Sequence, residues 1–217
     1  MKICGLTREE DISYAAQQGA DALGFVCGYP DSPRNLKLDK LRRLVKLVPP
    51  YVSSVVVTPL SNPAIFEIVK VVQPSLLQVS GEETTVLDAL RDKVGFDRVI
   101  HTVHVGISVP EAIKQSKELS KKSKAVLLDS KGDGRKSPIA GGTGVVHDWS
   151  VSRRVRNALD PFPVILGGGL TPRNVSRAID EVRPYAVDVS SGVEAEPGIK
   201  SRAKIKEFIQ NAKKGKQ

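Results

Sequence analysis

Leu166-Gly167-Gly168-Gly169-Leu170-Thr171-Pro172, together with the later Val189-Ser190-Ser191-Gly192, is the stretch whose reading decides the fold. In both places a short apolar run gives way to a glycine-bearing turn, and residues 164–166 and 186–189 read as strands on their β-branched, apolar composition. Glycines at a strand end let backbone amides come close to an anion, and a helix start just behind them adds a dipole end of the right sign. A glycine run taken alone is just as well a tight strand-to-helix turn. Two such runs, closing the last two strands of a chain, match the recurrent phosphate site of one architecture.

Apolar, β-branched runs of the same kind recur at residues 2–4, 22–26, 54–57, 76–79, 99–105 and 125–128, which brings the total to eight. Helical periodicity fills the gaps, as in Leu41, Leu44, Val45, Leu47 and Val48, or Ile65, Ile68, Val69 and Val72. Thr7 with Glu10 and Ser108 with Glu111 fit the capping box, in which hydroxyl and carboxylate satisfy free backbone amides. Asn62-Pro63 and Thr171-Pro172 fit a cap followed by proline at the first helical position. Repeated alternation of strand and helix demands a parallel sheet with right-handed crossovers, and eight units close into an α/β (β/α)8 TIM barrel. The expected organisation is one domain over residues 1–217, its last few residues a basic tail. An open doubly wound sheet is the structural alternative. It should carry G-x-G-x-x-G after the first strand; none is there, no P-loop motif occurs anywhere, and the unusual glycines come late, at 141–144, 167–169 and 192.

Composition narrows the class. With 40% hydrophobic and 26% charged residues and no polar tract, the chain predicts a packed core, with disorder confined to the C-terminal tail. Cys4 and Cys27 are too few for a disulfide scaffold, and no cluster has zinc-ligand spacing, so no metal is expected. No apolar stretch is long enough to cross a bilayer and Met1 runs straight into a strand, which predicts a cytoplasmic protein without a membrane partner. The net charge of +9 first suggests nucleic acid, but residues 200–217 hold seven Lys/Arg against one Glu. Elsewhere the charges nearly balance, so the expected partner is a small anionic metabolite and not a nucleic acid.

Cys4 stands at the end of the first strand with Gly5 behind it, which puts an ionisable thiol at the catalytic face; a buried apolar filler is the bland alternative for a lone cysteine. Asp129 ends the sixth apolar run. A loop or helix cap is its plain role, but the connection that follows is far longer than the usual handful of residues. Asp188 lies among apolar neighbours in the last strand, where a charge needs a partner or a purpose. Arg34, in the loop after the second strand, is either a solvated arginine or a fork for a carboxylate. His101 and His104 are three positions apart on a strand and point to opposite faces, so they and His147 read as structural.

Lys2-Ile3-Cys4-Gly5-Leu6-Thr7, Ser32-Pro33-Arg34, Leu128-Asp129, Gly141-Gly142-Thr143-Gly144, Leu166-Gly167-Gly168-Gly169-Leu170 and Asp188-Val189-Ser190-Ser191-Gly192-Val193-Glu194 occur in this order over nearly the whole chain. Together they resemble the phosphoribosylanthranilate isomerases of tryptophan biosynthesis. The resemblance implies an Amadori rearrangement of N-(5-phosphoribosyl)anthranilate to 1-(o-carboxyphenylamino)-1-deoxyribulose 5-phosphate, without cofactor or metal, by a monomer or homodimer. It makes Asp129 the general acid and Cys4 the general base, so the site should raise the pKa of Asp129 and lower that of Cys4. It further implies that Arg34 binds the anthranilate carboxylate, that Asp188 positions the amino group or ribose, and that Gly142, Gly168, Gly169, Ser191 and Gly192 hold the phosphate. The chain departs from the family pattern at Ser80, where histidine is expected, and at Gly167, where alanine is usual. Two rivals remain. The barrel isomerase of histidine biosynthesis would place a carboxylate where Cys4 stands, and a non-catalytic phosphate- or nucleic-acid-binding module leaves Cys4, Asp129 and Arg34 unexplained.

Overall fold

The computed structural model describes residues 1–81, 84–106, 108–130 and 148–215. Strand and helix alternate through β1 (Lys2–Ile3), α1 (Glu9–Gln18), β2 (Ala22–Val26), α2 (Leu38–Val45), β3 (Ser53–Pro59), α3 (Ile65–Val72), β4 (Leu76–Ser80) and α4 (Thr84–Val94). The alternation continues through β5 (Val99–His104), α5 (Val109–Ser120), β6 (Ala125–Asp129), α6 (Trp149–Leu159), β7 (Val164–Leu166), α7 (Val175–Val182) and β8 (Ala186–Val189). A hairpin of β9 (Glu194–Glu196) and β10 (Ile199–Lys200) precedes the final helix α8 (Arg202–Lys214). β1 to β8 pair in parallel and in chain order, and β8 returns to β1, so the sheet is a closed barrel and not the open alternative.

The period-two alternation of strands sorts the side chains. Ile3, Leu23, Phe25, Val56 and Leu77 pack outward against Leu41, Leu44, Ile65 and Ile68 of the surrounding helices. Val103, Val126 and Leu128 do the same against Val155 and Leu159 of α6. Lys2 is the register partner of Asp188 across β1 and β8. It is one strand step from Ile3, so it and Cys4 fall on the opposite face, toward the barrel interior.

Several local expectations change. Ser108 and Glu111 form the capping box at α5, the Glu111 carboxylate accepting from the Ser108 N–H at 3.3 Å and hydroxyl at 2.6 Å. Thr7 caps nothing: α1 has Arg8 at its cap position, and the Thr7 hydroxyl donates instead to the Gly198 carbonyl at 2.6 Å, tying the first loop to the hairpin. Asn62 and Thr171 also lie one turn too early. Asn62 Oδ1 accepts from the Ala64 N–H at 3.0 Å before α3, and the cap position of α7 is held by Asn174. In both cases the proline belongs to a turn that precedes the helix. Most of the basic C-terminal segment is helical, as α8. Ile205, Phe208, Ile209 and Ala212 recur at helical spacing and are buried, so α8 closes the ring against α1 and α7 while its lysines stay outside. Burying Phe208 alone contributes about 1.5–3 kcal/mol.

Candidate active site

The C-terminal ends of the strands surround a pocket of about 750 Å³, counting the space that opens to solvent at its mouth. Its walls include Cys4, Arg34, Asp129, Asp188, Gly168, Gly169, Ser191 and Gly192, which are the sequence-predicted residues with the exception of Gly142. Gly142 lies outside the described residues.

Cys4 is buried, and its backbone N–H donates to the Val189 carbonyl at 2.8 Å, which fixes the thiol between β1 and β8. Val26 and Val57 pack beside it, with half-buried Tyr29 against them, forming an apolar wall. The expected lowering of the Cys4 pKa is not found. Burial pushes the thiol up, and nearby Asp188 adds to this, while Lys2 and Lys200 pull the other way without overcoming it. Asp129 behaves as expected: burial and then the charge of Asp188 push its carboxyl up to about 7, against the opposing Ser130 N–H and Lys2.

Loops after β7 and β8 form the opposite end of the pocket. Gly168 and Gly169 are left-handed, at φ of 78° and 66°. A Cβ on Gly168 would stand 2.4 Å from the Ser130 N–H nitrogen and 2.7 Å from Asp129 Oδ1, so only glycine lets this loop lie against the acid. A Cβ on Gly192 would come within 1.9 Å of the Leu170 carbonyl oxygen, so the two loops touch backbone to backbone there. Asn174, which sequence reasoning missed, pins the turn: its Oδ1 accepts from the Thr171 N–H at 2.7 Å and its Nδ2 donates to the Gly169 carbonyl at 3.0 Å.

Arg34 is neither solvated nor free. It is buried, and its Nε and Nη2 donate to the two carboxylate oxygens of Glu194 at 2.7 and 2.6 Å. Glu194 also accepts from Lys200 Nζ at 2.9 Å, and Lys200 donates in turn to the Ser190 carbonyl at 3.0 Å. Burial would raise Glu194, but Arg34 and Lys200 outweigh it and hold the carboxyl below its ordinary value. Of the five guanidinium N–H groups, three are left for a molecule in the pocket that Arg34 lines.

Beneath Cys4, Lys2 is buried and reaches Asp188 Oδ2 at 3.2 Å and the Gln78 side-chain carbonyl. Gln78 Nε2 donates to Thr102 Oγ1 at 3.3 Å, whereas Asp188 Oδ1 is buried without a hydrogen-bond partner among the described residues. Ser80, the departure from the family pattern, shares a 2.7 Å hydrogen bond with the Tyr29 hydroxyl on the pocket wall. His101 is buried in β5 with its Nδ1 3.1 Å from the Thr102 carbonyl oxygen. Among the described residues no group of His, Cys, Asp and Glu is arranged to hold a metal. No described helix is long and apolar enough to cross a membrane.

Fold and pocket define a (β/α)8 barrel with a candidate active site at the C-terminal ends of its strands. A family profile described as N-(5'-phosphoribosyl)anthranilate (PRA) isomerase matches residues 1–211. The N-(5'-phosphoribosyl)anthranilate isomerase of Thermotoga petrophila is 42% identical over 215 residues, covering 98% of each chain. The crystal structure of phosphoribosyl anthranilate isomerase from Thermotoga maritima superposes with a TM-score of 0.83 at 37% identity and 98% coverage of both chains. A second such enzyme, solved with reduced 1-(o-carboxyphenylamino)-1-deoxyribulose 5-phosphate, superposes at 0.80 with 36% identity, over 98% of this chain and 97% of that one. The chain belongs to the phosphoribosylanthranilate isomerase family, the enzymes of tryptophan biosynthesis that turn an aldose into a ketose.

Proposed function

We propose that the chain rearranges N-(5-phosphoribosyl)anthranilate to 1-(o-carboxyphenylamino)-1-deoxyribulose 5-phosphate with Asp129 as general acid and Cys4 as general base. The observation that carries this reading is a carboxyl raised to about 7 on one wall of the pocket that also exposes Cys4 and the two glycine loops. An acid titrating near neutrality is half protonated there and still able to give up its proton. Asp129 protonates the ribose ring oxygen, the C1–O bond breaks, and the anthranilate nitrogen donates its lone pair to form an iminium cation. The Cys4 thiolate then takes the proton from C2, and the C–H electrons move to form the C1=C2 bond and neutralise nitrogen. The enolamine gains a proton at C1 as its 2-hydroxyl loses one, leaving the ketose. Burial holds the thiol up, but the iminium is an opposite charge beside it and favours the thiolate when it is needed.

Arg34 reads the anthranilate carboxylate with the N–H groups that Glu194 leaves free, and the aromatic ring lies against Val26, Val57 and Tyr29. Asp188 Oδ1 accepts from the amino group or ribose, and Gly168, Gly169, Ser191 and Gly192, with Gly142, hold the phosphate. The partner is this small phosphorylated molecule and not nucleic acid, and the chain acts in the cytoplasm as one barrel domain, monomeric or homodimeric. Asp129→Asn and Cys4→Ser keep the shape of each group and remove its proton chemistry. Each should lower kcat by about 10²–10⁴-fold with product binding nearly unchanged. Near-wild-type turnover in either variant removes that residue from the mechanism.

A further inference from the structure

Lys2 is a buried cation beneath the pocket that proton transfer does not use. It lies two residues before Cys4 on β1, on the same face of the strand. Its ammonium meets Asp188 Oδ2 at 3.2 Å and the Gln78 side-chain carbonyl, with both Lys2 and Gln78 buried. A lysine is almost never this buried unless something pairs with it, and one carboxylate with one neutral amide is a sparse coordination for three N–H donors. The Lys2 ammonium shares this face of β1 with the Cys4 thiol, and the charge of each favours the ionised form of the other.

The geometry points to Lys2 as a positioning residue for the reaction: it is the fixed counter-charge under the Cys4 thiolate, and it holds Asp188 by one oxygen so that the other, Oδ1, is left to the substrate. This rests on the reading of Cys4 as the base. The groups facing Cys4 are Lys2 from β1, Asp188 from β8, Lys200 from β10 and Tyr29 from the loop after β2, with Asp129 of β6 on the same pocket. Among these, Lys2 is the strongest favourable charge on the sulfur, ahead of Lys200, while Asp188 opposes thiolate formation. Although burial pulls Lys2 down, Asp188 and Cys4 together hold it above the ordinary lysine value, so it stays charged through the working pH range. Without Lys2, Cys4 would face Asp188 with only the more weakly coupled Lys200 to balance it.

The test is a thiolate titration that does not depend on turnover. Ultraviolet absorbance at the thiolate band, with the Cys4→Ser protein subtracted to remove Cys27, gives the Cys4 midpoint directly. In Lys2→Met that midpoint should rise by about one pH unit or more, kcat/KM near neutrality should fall roughly tenfold, and Lys2→Arg should restore much of both. A folded Lys2→Met protein with an unmoved Cys4 midpoint overturns the proposal, whatever its activity. Removing one partner of a buried pair strains folding, so wild-type protein labelled with ¹⁵N-lysine supplies an independent reading. The Lys2 ammonium signal should step at the Cys4 midpoint, and the step should vanish in Cys4→Ser. Absence of the step in wild type also overturns it. If Cys4→Ser proves fully active while the midpoint does move in Lys2→Met, the base assignment fails and the Lys2–Cys4 coupling stands.

Discussion

A carboxyl titrating near 7 beside a thiol pushed above its usual value sets an inverted distribution of protons, because the productive form needs Asp129 protonated and Cys4 ionised. That form is a minority of the free enzyme. Its population climbs with pH until Asp129 begins to ionise, stays level between the two midpoints, and falls once Cys4 is fully ionised. The pH profile of kcat/KM should therefore bend near 7, and in Asp129→Asn the residual activity should climb through pH 7 without that bend. A bend that persists in the variant would assign it to another group. Arg34→Lys tests the aromatic end, since lysine keeps the charge and loses the planar fork that Glu194 and the substrate share. Catalytic efficiency should fall by about 1–3 kcal/mol, and preference over an analogue lacking the carboxylate should narrow. An unchanged ratio of the two efficiencies would leave Arg34 a structural partner of Glu194 only. Cys4 and Asp129 were legible as strand-end residues because apolar runs stop there. Lys2 was not, since a two-residue strand shows no alternation against which a buried charge stands out.

At the scale of elements, alternation of apolar runs and helical stripes was enough to read all eight parallel strands and their closure, since each run is bounded by turn residues and most helices carry a clear apolar face. Helix starts were less legible. Thr7 and Thr171 have the composition of caps but are drawn into loop contacts, Thr7 by the Gly198 carbonyl across 191 positions of sequence and Thr171 by Asn174. A long-range partner such as Gly198 leaves no local pattern. The Arg34–Glu194–Lys200 cluster is equally hidden, because the hairpin of β9 and β10 brings together residues that are 160 positions apart. Gly168 gives an element-level prediction. Gly168→Ala forces a left-handed φ on alanine and sets its Cβ against Ser130 and the Asp129 carboxyl. Unfolding free energy should drop by about 1–3 kcal/mol, and inhibition by inorganic phosphate should weaken several-fold. A variant with wild-type stability and phosphate affinity would show that the turn does not need glycine.

For the whole molecule, the sequence showed where positive charge accumulates but not what it does. α8 spends its lysines on solvent while its apolar stripe closes the barrel, and Lys200 is drawn inward to Glu194. That buried cluster also shapes acid stability. Because Glu194 titrates lower in the folded chain than in the unfolded one, its contribution is fully present above the ordinary glutamate value of about 4.3 and is lost as pH falls through the folded value. Glu194→Gln should be less stable than wild type in urea at neutral pH and should lose less of its remaining stability between about pH 5 and 3. Parallel curves for the two proteins would place the acid sensitivity elsewhere.

The most direct measurement is turnover itself. Phosphoribosylanthranilate generated in situ loses its anthranilate fluorescence as the rearrangement proceeds. With the wild-type chain the signal should decay at a rate proportional to enzyme concentration, and with folded Cys4→Ser or Asp129→Asn protein the enzyme-dependent rate should be about 10²–10⁴-fold lower. A folded wild-type protein that leaves the fluorescence at the uncatalysed rate would contradict the isomerase assignment.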